Sequence, residues 1–321
     1  MNYLLLDKPE NYDTAFIAKK IAVPMSEYYT KRTKPVLLGM FCACLQLMFK
    51  TRRNDTLVCW YDFQAVMCWW LGKFFFMKRK IVCINLLLKQ KPTIKNRFAA
   101  FLYKRALLDS SFMATVTSKE YGEWLNKSLG VSVDYVLLRD VFHEYYIAKS
   151  PIKDGGYVFC GGNSERDWNL MYAVAEKLPQ VQFVFVMSGA TFEHYKDRRL
   201  SNVCLYDKMP LNEFMDKIYH SSMVCFPLST EAPAGLTVMI SAAVNGKLIM
   251  MTDTPVTRGY INDEFGVLLQ NNVEDWTCAI RDCFEKRDEM QKKAERLSLF
   301  LKTECTEDKF VSILKGIIDQ I

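Results

Sequence analysis

Short apolar runs alternate with longer amphipathic stretches from one end of this chain to the other. Residues 3–6, 56–60, 81–87 and 113–117 are apolar or β-branched runs that read as buried strands, and 133–138 closes this half with another. Apolar residues at helical spacing predict helices from Thr14 onward and over 34–50, 95–108 and 119–129. The segment AKSPIKDGG at 148–156 holds a proline and two glycines without periodicity and reads as a linker. The alternation then restarts, with strands at 157–160, 183–187, 203–206, 223–228 and 248–251. Helices lead up to 178 and cover 211–220 and 236–245, and residues 274–321 are helical in pattern, interrupted at 303–306.

Repeated strand–helix–strand units imply parallel sheets covered by helices on both faces, so the expected fold class is α/β with two Rossmann-like domains. The expected boundaries are 1–150 and 151–305, with 306–321 as a terminal helix packing back on the first domain. Ligands of such sheets sit at the carboxyl ends of the strands, which places the expected site in a cleft between the domains.

Composition narrows the class. Of 321 residues, 50% are hydrophobic and 24% charged, which excludes a disordered chain. Eleven cysteines form no CxxC pair, and no signal peptide is evident, so reduced thiols in a cytoplasmic protein are expected. Three scattered histidines (His143, His194, His220) offer no zinc spacing. Charge is uneven: residues 1–150 hold 23 Lys+Arg against 12 Asp+Glu, or +11, and residues 151–321 hold 19 against 24, or −5. The basic, aromatic stretches WWLGKFFFMKRK (69–80) and KQKPTIKNR (89–97) suit an anionic membrane surface or a phosphate-bearing partner. The alternative is that Trp69, Trp70 and Phe74 to Phe76 are mostly core rings beneath solvated lysines. Residues 57–77 are apolar, but Asp62, Gln64 and Lys73 argue against a spanning helix, leaving a peripheral protein. The basic half has no aromatic-basic RNA motif, so no nucleic-acid partner is expected.

Two strand-to-helix junctions carry candidate chemistry. In Gly161-Gly162-Asn163-Ser164-Glu165-Arg166-Asp167-Trp168, paired glycines permit close backbone approach, a helix start presents free N–H groups, and Arg166 offers a bidentate phosphate partner. The plainer reading is a glycine turn with an exposed arginine and Asp167 as helix cap. At Gly235-Leu236-Thr237 a second helix start follows a strand, with the Thr237 hydroxyl beside its free amides. Glu231, in the loop before it, is either a solvated carboxylate or one that meets a ribose diol, a sugar hydroxyl or a developing positive charge. In the first half, Asp62 and Asn85 lie at or just beyond strand ends, where either can orient an acceptor hydroxyl, and Asp62 serves equally as a helix cap. His143 reads as a packing residue.

Four segments in order, FCGGNSERDWNLMYAVAEKLP, VCLYDKMPLNEFMDKIYHSSMVCFPLS, GLTVMISAAVNGKLIMMTDTP and FGVLL, cover roughly 157–270. Together they resemble the nucleotide-binding domain of GT-B retaining glycosyltransferases of the bacterial group-1 (family 4) type. The first half resembles that family in layout only. The resemblance implies a GT-B architecture and metal-independent transfer of a sugar from a nucleotide-diphosphate sugar, a UDP-sugar foremost, with no further cofactor. The acceptor it implies is a glycan or lipid-linked chain, in surface polysaccharide assembly at the cytoplasmic face of the inner membrane.

By the resemblance, Arg166 contacts the donor diphosphate and Gly161, Gly162 and Asn163 form the close-approach turn. Lys208 and Met209 pass the nucleotide base. Gly235, Leu236 and Thr237 form the diphosphate-binding helix start, and Glu231 lies near the first acidic residue of a paired-glutamate motif. The second glutamate falls at Ser241, and the glycine-rich loop after the first strand is replaced by DKPENYD. These departures keep two other readings open, a degenerate transferase-like scaffold subunit and a GT-B-type sugar-nucleotide epimerase.

Overall fold

The computed structural model describes residues 1–6, 12–21, 25–29, 36–88, 94–162 and 165–321. The chain divides into two compact units, Met1–Arg139 with Glu307–Ile321, and Asp140–Thr306. The division precedes the 148–156 segment, which belongs to the second unit.

In the first unit, strands β1 (Asn2–Leu6), β2 (Met25–Tyr29), β3 (Thr56–Cys59), β4 (Lys80–Cys83), β5 (Phe112–Val116) and β6 (Val136–Leu137) form one sheet in the order β2-β1-β3-β4-β5-β6. All pairings are parallel. β3 is buried at every residue, which is why its sequence is an unbroken apolar run rather than an alternating one. Helices α2 (Val36–Lys50), α3 (Asp62–Phe74) and α4 (Ile94–Leu107) pack side by side, and α5 (Lys119–Leu129) follows β5. Helix α1 (Tyr12–Lys20) packs on the chain's last helix, α12 (Glu307–Gln320), through a Phe16–Phe310 edge contact at 5.4 Å and a Lys20–Glu307 ion pair at 2.8 Å.

The structure revises several sequence expectations here. β2 was not expected: its sequence, MSEYY, is polar enough to hide in the periodicity. The apolar stretch 57–77 is a strand followed by a helix, and among the described residues no helix is long and apolar enough to cross a membrane. Trp69 is buried as expected, but Phe74, Phe75 and Phe76 are exposed. The helix ends at Phe74, so these rings fall beyond the turn that faces the core. The strand expected over 81–87 stops at Cys83, and residues 84–88 are loop.

In the second unit, β7 (Tyr157–Gly161), β8 (Gln182–Val186), β9 (Val203–Tyr206), β10 (Met223–Phe226), β11 (Leu248–Thr252) and β12 (Val267–Leu269) form a parallel sheet ordered β12-β11-β10-β7-β8-β9. Helices α6 (Trp168–Lys177) and α10 (Val273–Glu285) pack together; α9 (Leu236–Ala243) packs with α8 (Leu211–Tyr219) and α11 (Arg287–Glu304). The short helix α7 (Ala190–Tyr195) follows β8 and was not expected. Between α6, α10 and the sheet lies an aromatic core built on Trp276, Tyr172, Phe183, Phe185 and Trp168. The strand order reverses direction between β7 and β10, the position at whose carboxyl ends open parallel sheets commonly take their ligands.

Candidate donor site

The two glycine junctions singled out in the sequence leave those same neighbouring strands, β7 and β10. After Gly161 and Gly162, Glu165 adopts φ 51° and the chain crosses to the β10 loop. It is fastened there by Arg166 bridging Leu228, by the Asp167 N–H donating to Pro227 O (2.8 Å), and by the Ser229 N–H donating to Glu165 O (3.0 Å). Asp167 then caps α6, its Oδ1 accepting from the Leu170 N–H at 3.0 Å. The helix cap and the arginine are therefore adjacent residues with separate contacts.

Arg166 is buried, not exposed as the plainer reading held. Its Nε donates to Gly161 O at 3.2 Å, and its guanidinium lies 5.0 Å from the centroid of Phe226. Burial pulls its pKa below the ordinary arginine value, yet a guanidinium so high on the scale stays cationic at neutral pH. Both glycines exist to admit it. A Cβ on Gly235 would lie 2.7 Å from Nη2 and 2.9 Å from Nη1, and one on Gly162 would lie 3.2 Å from Nη2. Gly235 also has φ 73° and Gly162 φ 105°, conformations that disfavour any side chain.

Gly235 is the N-cap of α9 and makes no side-chain cap. The first intrahelical bond here runs from the Met239 N–H to Gly235 O (2.9 Å), so the amides of Leu236, Thr237 and Val238 have no partner within the helix. A buried cation thus stands beside a helix start with free N–H groups, an arrangement that binds anions. Leu236 is buried as an anchor and Thr237 is exposed.

Glu231 lies in the loop between β10 and α9 and is exposed. Partial desolvation pushes its carboxyl above the usual range, Arg258 opposes this and Asp253 adds repulsion. Arg258 and Asp253 form a two-pronged ion pair, Nε–Oδ1 at 2.6 Å and Nη2–Oδ2 at 2.9 Å. Ser241 is buried and its Oγ donates to Thr237 O (2.7 Å), so its proton is spent within α9 itself. Lys208 and Met209 follow β9, two strands away from β7, where Lys208 is exposed. They lead into α8, whose Phe214 packs against Phe159 at 5.4 Å and against Gly161. Asn163 lies outside the described residues.

Asp62 and Asn85 belong to the first unit and are both buried. Asp62 opens α3 without being its N-cap, which is Tyr61. Its Oδ2 accepts from the Leu87 N–H (2.8 Å) and its Oδ1 from the Phe63 N–H (2.7 Å). Burial raises its pKa, while these bonds and one from Tyr103 oppose the shift. Asn85 has φ 47°; its N–H donates to Thr115 Oγ1 (2.7 Å), which donates back to Asn85 Oδ1 (2.9 Å). Both residues shape loop 84–88. His143 packs against Tyr145 and Tyr146 in the second unit.

Sequence reasoning missed the polar network that fixes the β10 loop. Thr252 Oγ1 accepts from the Leu228 N–H (2.7 Å) and donates to Asn271 Oδ1 (2.7 Å), while Asn271 Nδ2 donates to Leu228 O (2.8 Å). These residues are distant in sequence. Their one shared signal is position: Thr252 ends β11 and Asn271 lies just past β12.

Two parallel Rossmann-type sheets of this kind make up the GT-B architecture. No protein-family model matches the chain, and no curated protein matches it by sequence. Solved structures do resemble it. Anabaena HepE in complex with UDP aligns with a TM-score of 0.74 at 14% identity, covering 100% of both chains. Sucrose-phosphate synthase from Thermosynechococcus elongatus aligns at 0.73 and 13% identity, over 93% of this chain and 81% of that one. A glycosyltransferase from Rickettsia africae aligns at 0.67 and 10% identity, over 100% and 98%. At these identities the likeness is one of fold.

Proposed function

We propose that this protein is a retaining glycosyltransferase that moves a sugar from a nucleotide-diphosphate sugar, a UDP-sugar foremost, to a glycan or lipid-linked acceptor. The observation that carries this reading is the Arg166 guanidinium wedged between Gly162 and Gly235 at the start of α9. The HepE structures with UDP and with UDP-glucose support the choice of donor.

In this reading the donor diphosphate meets Arg166 and the amides of Leu236, Thr237 and Val238. The bond from the sugar anomeric carbon to the diphosphate oxygen breaks, and the oxygen leaves with the electron pair. The acceptor hydroxyl oxygen bonds to that carbon on the same face, and its proton passes to the departing phosphate. Positive charge fixed before the reaction stabilises the leaving group as its charge grows, so the step needs no metal. Glu231, raised in pKa and exposed in the loop ahead of α9, orients the donor sugar. Asp62 and Asn85 hold the loop that would shape the acceptor side. The product belongs to surface polysaccharide assembly, made by a cytoplasmic protein peripheral to the membrane.

A second reading is a degenerate, donor-binding scaffold subunit. It is favoured by Ser241, which stands where the resemblance expects a carboxylate and gives its proton to Thr237 O. A thermal-shift screen against UDP-, GDP- and ADP-sugars, followed by donor hydrolysis with Ser241→Glu, separates the two. Binding with turnover supports transfer, binding without turnover supports the scaffold, and no binding to any sugar nucleotide sinks both.

A further inference from the structure

The helical layer of the first unit presents a second surface. Where α3 ends, three phenylalanines in succession leave the core, Phe74 at 75% exposure and Phe76 at 96%. Phe76 has φ 58°, a left-handed conformation that is costly for a bulky residue and is normally given to glycine. A tight cap enforces it: the Phe75 N–H donates to Leu71 O (2.9 Å) and the Met77 N–H to Gly72 O (2.7 Å). Gly72 makes room, since a Cβ there would lie 2.7 Å from Met77 O.

Arg79 turns inward, donating to Thr51 Oγ1 (3.0 Å) and Met48 O (3.1 Å), and so ties the end of α2 to this turn. Phe49 of α2, 57% exposed, is thereby held 5.3 Å from the Phe75 ring. On α4, Ile94, Phe98 and Phe101 recur at helical spacing, with Leu108 just past the helix end, all exposed, Ile94 at 88% and Phe98 at 63%. Phe101 lies 6.5 Å from Trp70, which is one helical turn before Phe74, so the two patches adjoin.

The charge around these rings is mostly basic, with the half-buried Asp109 at its edge paired to Lys73 at 2.7 Å. Residues 36–108 contain 13 Lys and Arg and only two acids, Asp55 and Asp62, both buried. Lys50, Arg52, Arg53, Lys78, Lys80, Arg97 and Arg105 are exposed. We propose that this layer docks on an anionic lipid surface, with Phe74 and Phe76 entering the headgroup region and the basic residues meeting lipid phosphates. A surface with exposed aromatics and no exposed carboxylate over 73 residues complements such a membrane in both its apolar and its charged parts. This gives residues to the peripheral placement proposed above, and it rests on the surface alone.

Vesicle flotation of the full chain tests it, using phosphatidylcholine vesicles with and without phosphatidylglycerol. The protein is expected to float only with the anionic vesicles and to be released by high salt. Lys78→Ser with Lys80→Ser should weaken partition by about thirtyfold. Phe76→Gly removes the ring while relaxing the backbone, so lost flotation with an unchanged or raised melting temperature assigns the effect to insertion rather than to unfolding. Absence of flotation with anionic vesicles, or equal flotation of wild type and Phe76→Gly, overturns the proposal. So does self-association of the wild type that Phe76→Gly abolishes, because the face is then a protein interface. Nucleotide-induced thermal shifts, read on the same samples, are independent of this outcome.

Discussion

Replacing Gly235 by alanine places a methyl group 2.7 Å from Arg166 Nη2, 2.9 Å from Nη1 and 3.1 Å from Cζ. Two costs follow. The left-handed backbone (φ 73°) is disfavoured for alanine by roughly 1–2 kcal/mol. The guanidinium must also move, stretching its 3.2 Å bond to Gly161 O and its seat on Phe226. Gly156 separates these costs, because it has nearly the same φ (74°) but nothing within 4 Å of its Cβ position. Gly156→Ala therefore carries the backbone strain alone. Urea denaturation should show Gly156→Ala losing roughly 1–2 kcal/mol and Gly235→Ala losing more than that. Calorimetry with UDP should show only Gly235→Ala losing affinity, by about tenfold or more, since a charge-assisted bond contributes roughly 1.5–3 kcal/mol. Wild-type UDP affinity in Gly235→Ala, or an equal loss in Gly156→Ala, would refute the idea that Gly235 serves Arg166.

Arg166→Lys keeps the charge but loses the planar fork, and kcat/KM for the sugar nucleotide should fall about a hundredfold with little change in melting temperature. Asn202→Ala should destabilise the second unit by roughly 2–3 kcal/mol in urea, because the buried Asn202 Nδ2 shares its two hydrogens among the carbonyls of Ala175, Leu178 and Val181 at 2.9–3.0 Å. Burial pushes the Asp140 carboxyl up to about 6, with the Tyr260 hydroxyl opposing. The folded state thus binds the proton more tightly than the unfolded chain, and stability present below the ordinary carboxylate pKa is lost as pH rises through about 6. Asp140→Asn should match wild type in stability near pH 4 and exceed it at neutral pH, by up to about 3 kcal/mol. Parallel pH profiles of the two proteins would refute this.

Much of the fold was legible because both sheets are parallel and covered. Their inner strands, such as Thr56–Cys59 and Met223–Phe226, must be apolar on both faces and so stand out as unbroken runs. The polar edge strand Met25–Tyr29 lacks that constraint and was missed. Strand ends were overread where apolar residues continue into loops, as at Ile84 to Leu88, whose burial comes from contacts with β3 and β5 rather than from being strand.

The candidate site divides in the same way. Local chemistry marked the two glycine junctions, since backbone conformation and helix starts are properties of a few consecutive residues. That they belong together was a matter of strand order: β7 and β10 are neighbours although some sixty residues separate them, and only that pairing brings Arg166 against Gly235. Burial of Arg166, commitment of the Asp62 carboxylate to the Leu87 N–H, and exposure of Phe74 to Phe76 likewise depend on which surfaces meet. Sequence alone determined the buried inner strands, the longer helices and where glycine is needed, but not the polar edge strand Met25–Tyr29 or the short helix Ala190–Tyr195. Tertiary packing decided which polar groups point into a site and which are used up holding loops, because hydrogen-bond partners and desolvation come from residues far away along the chain.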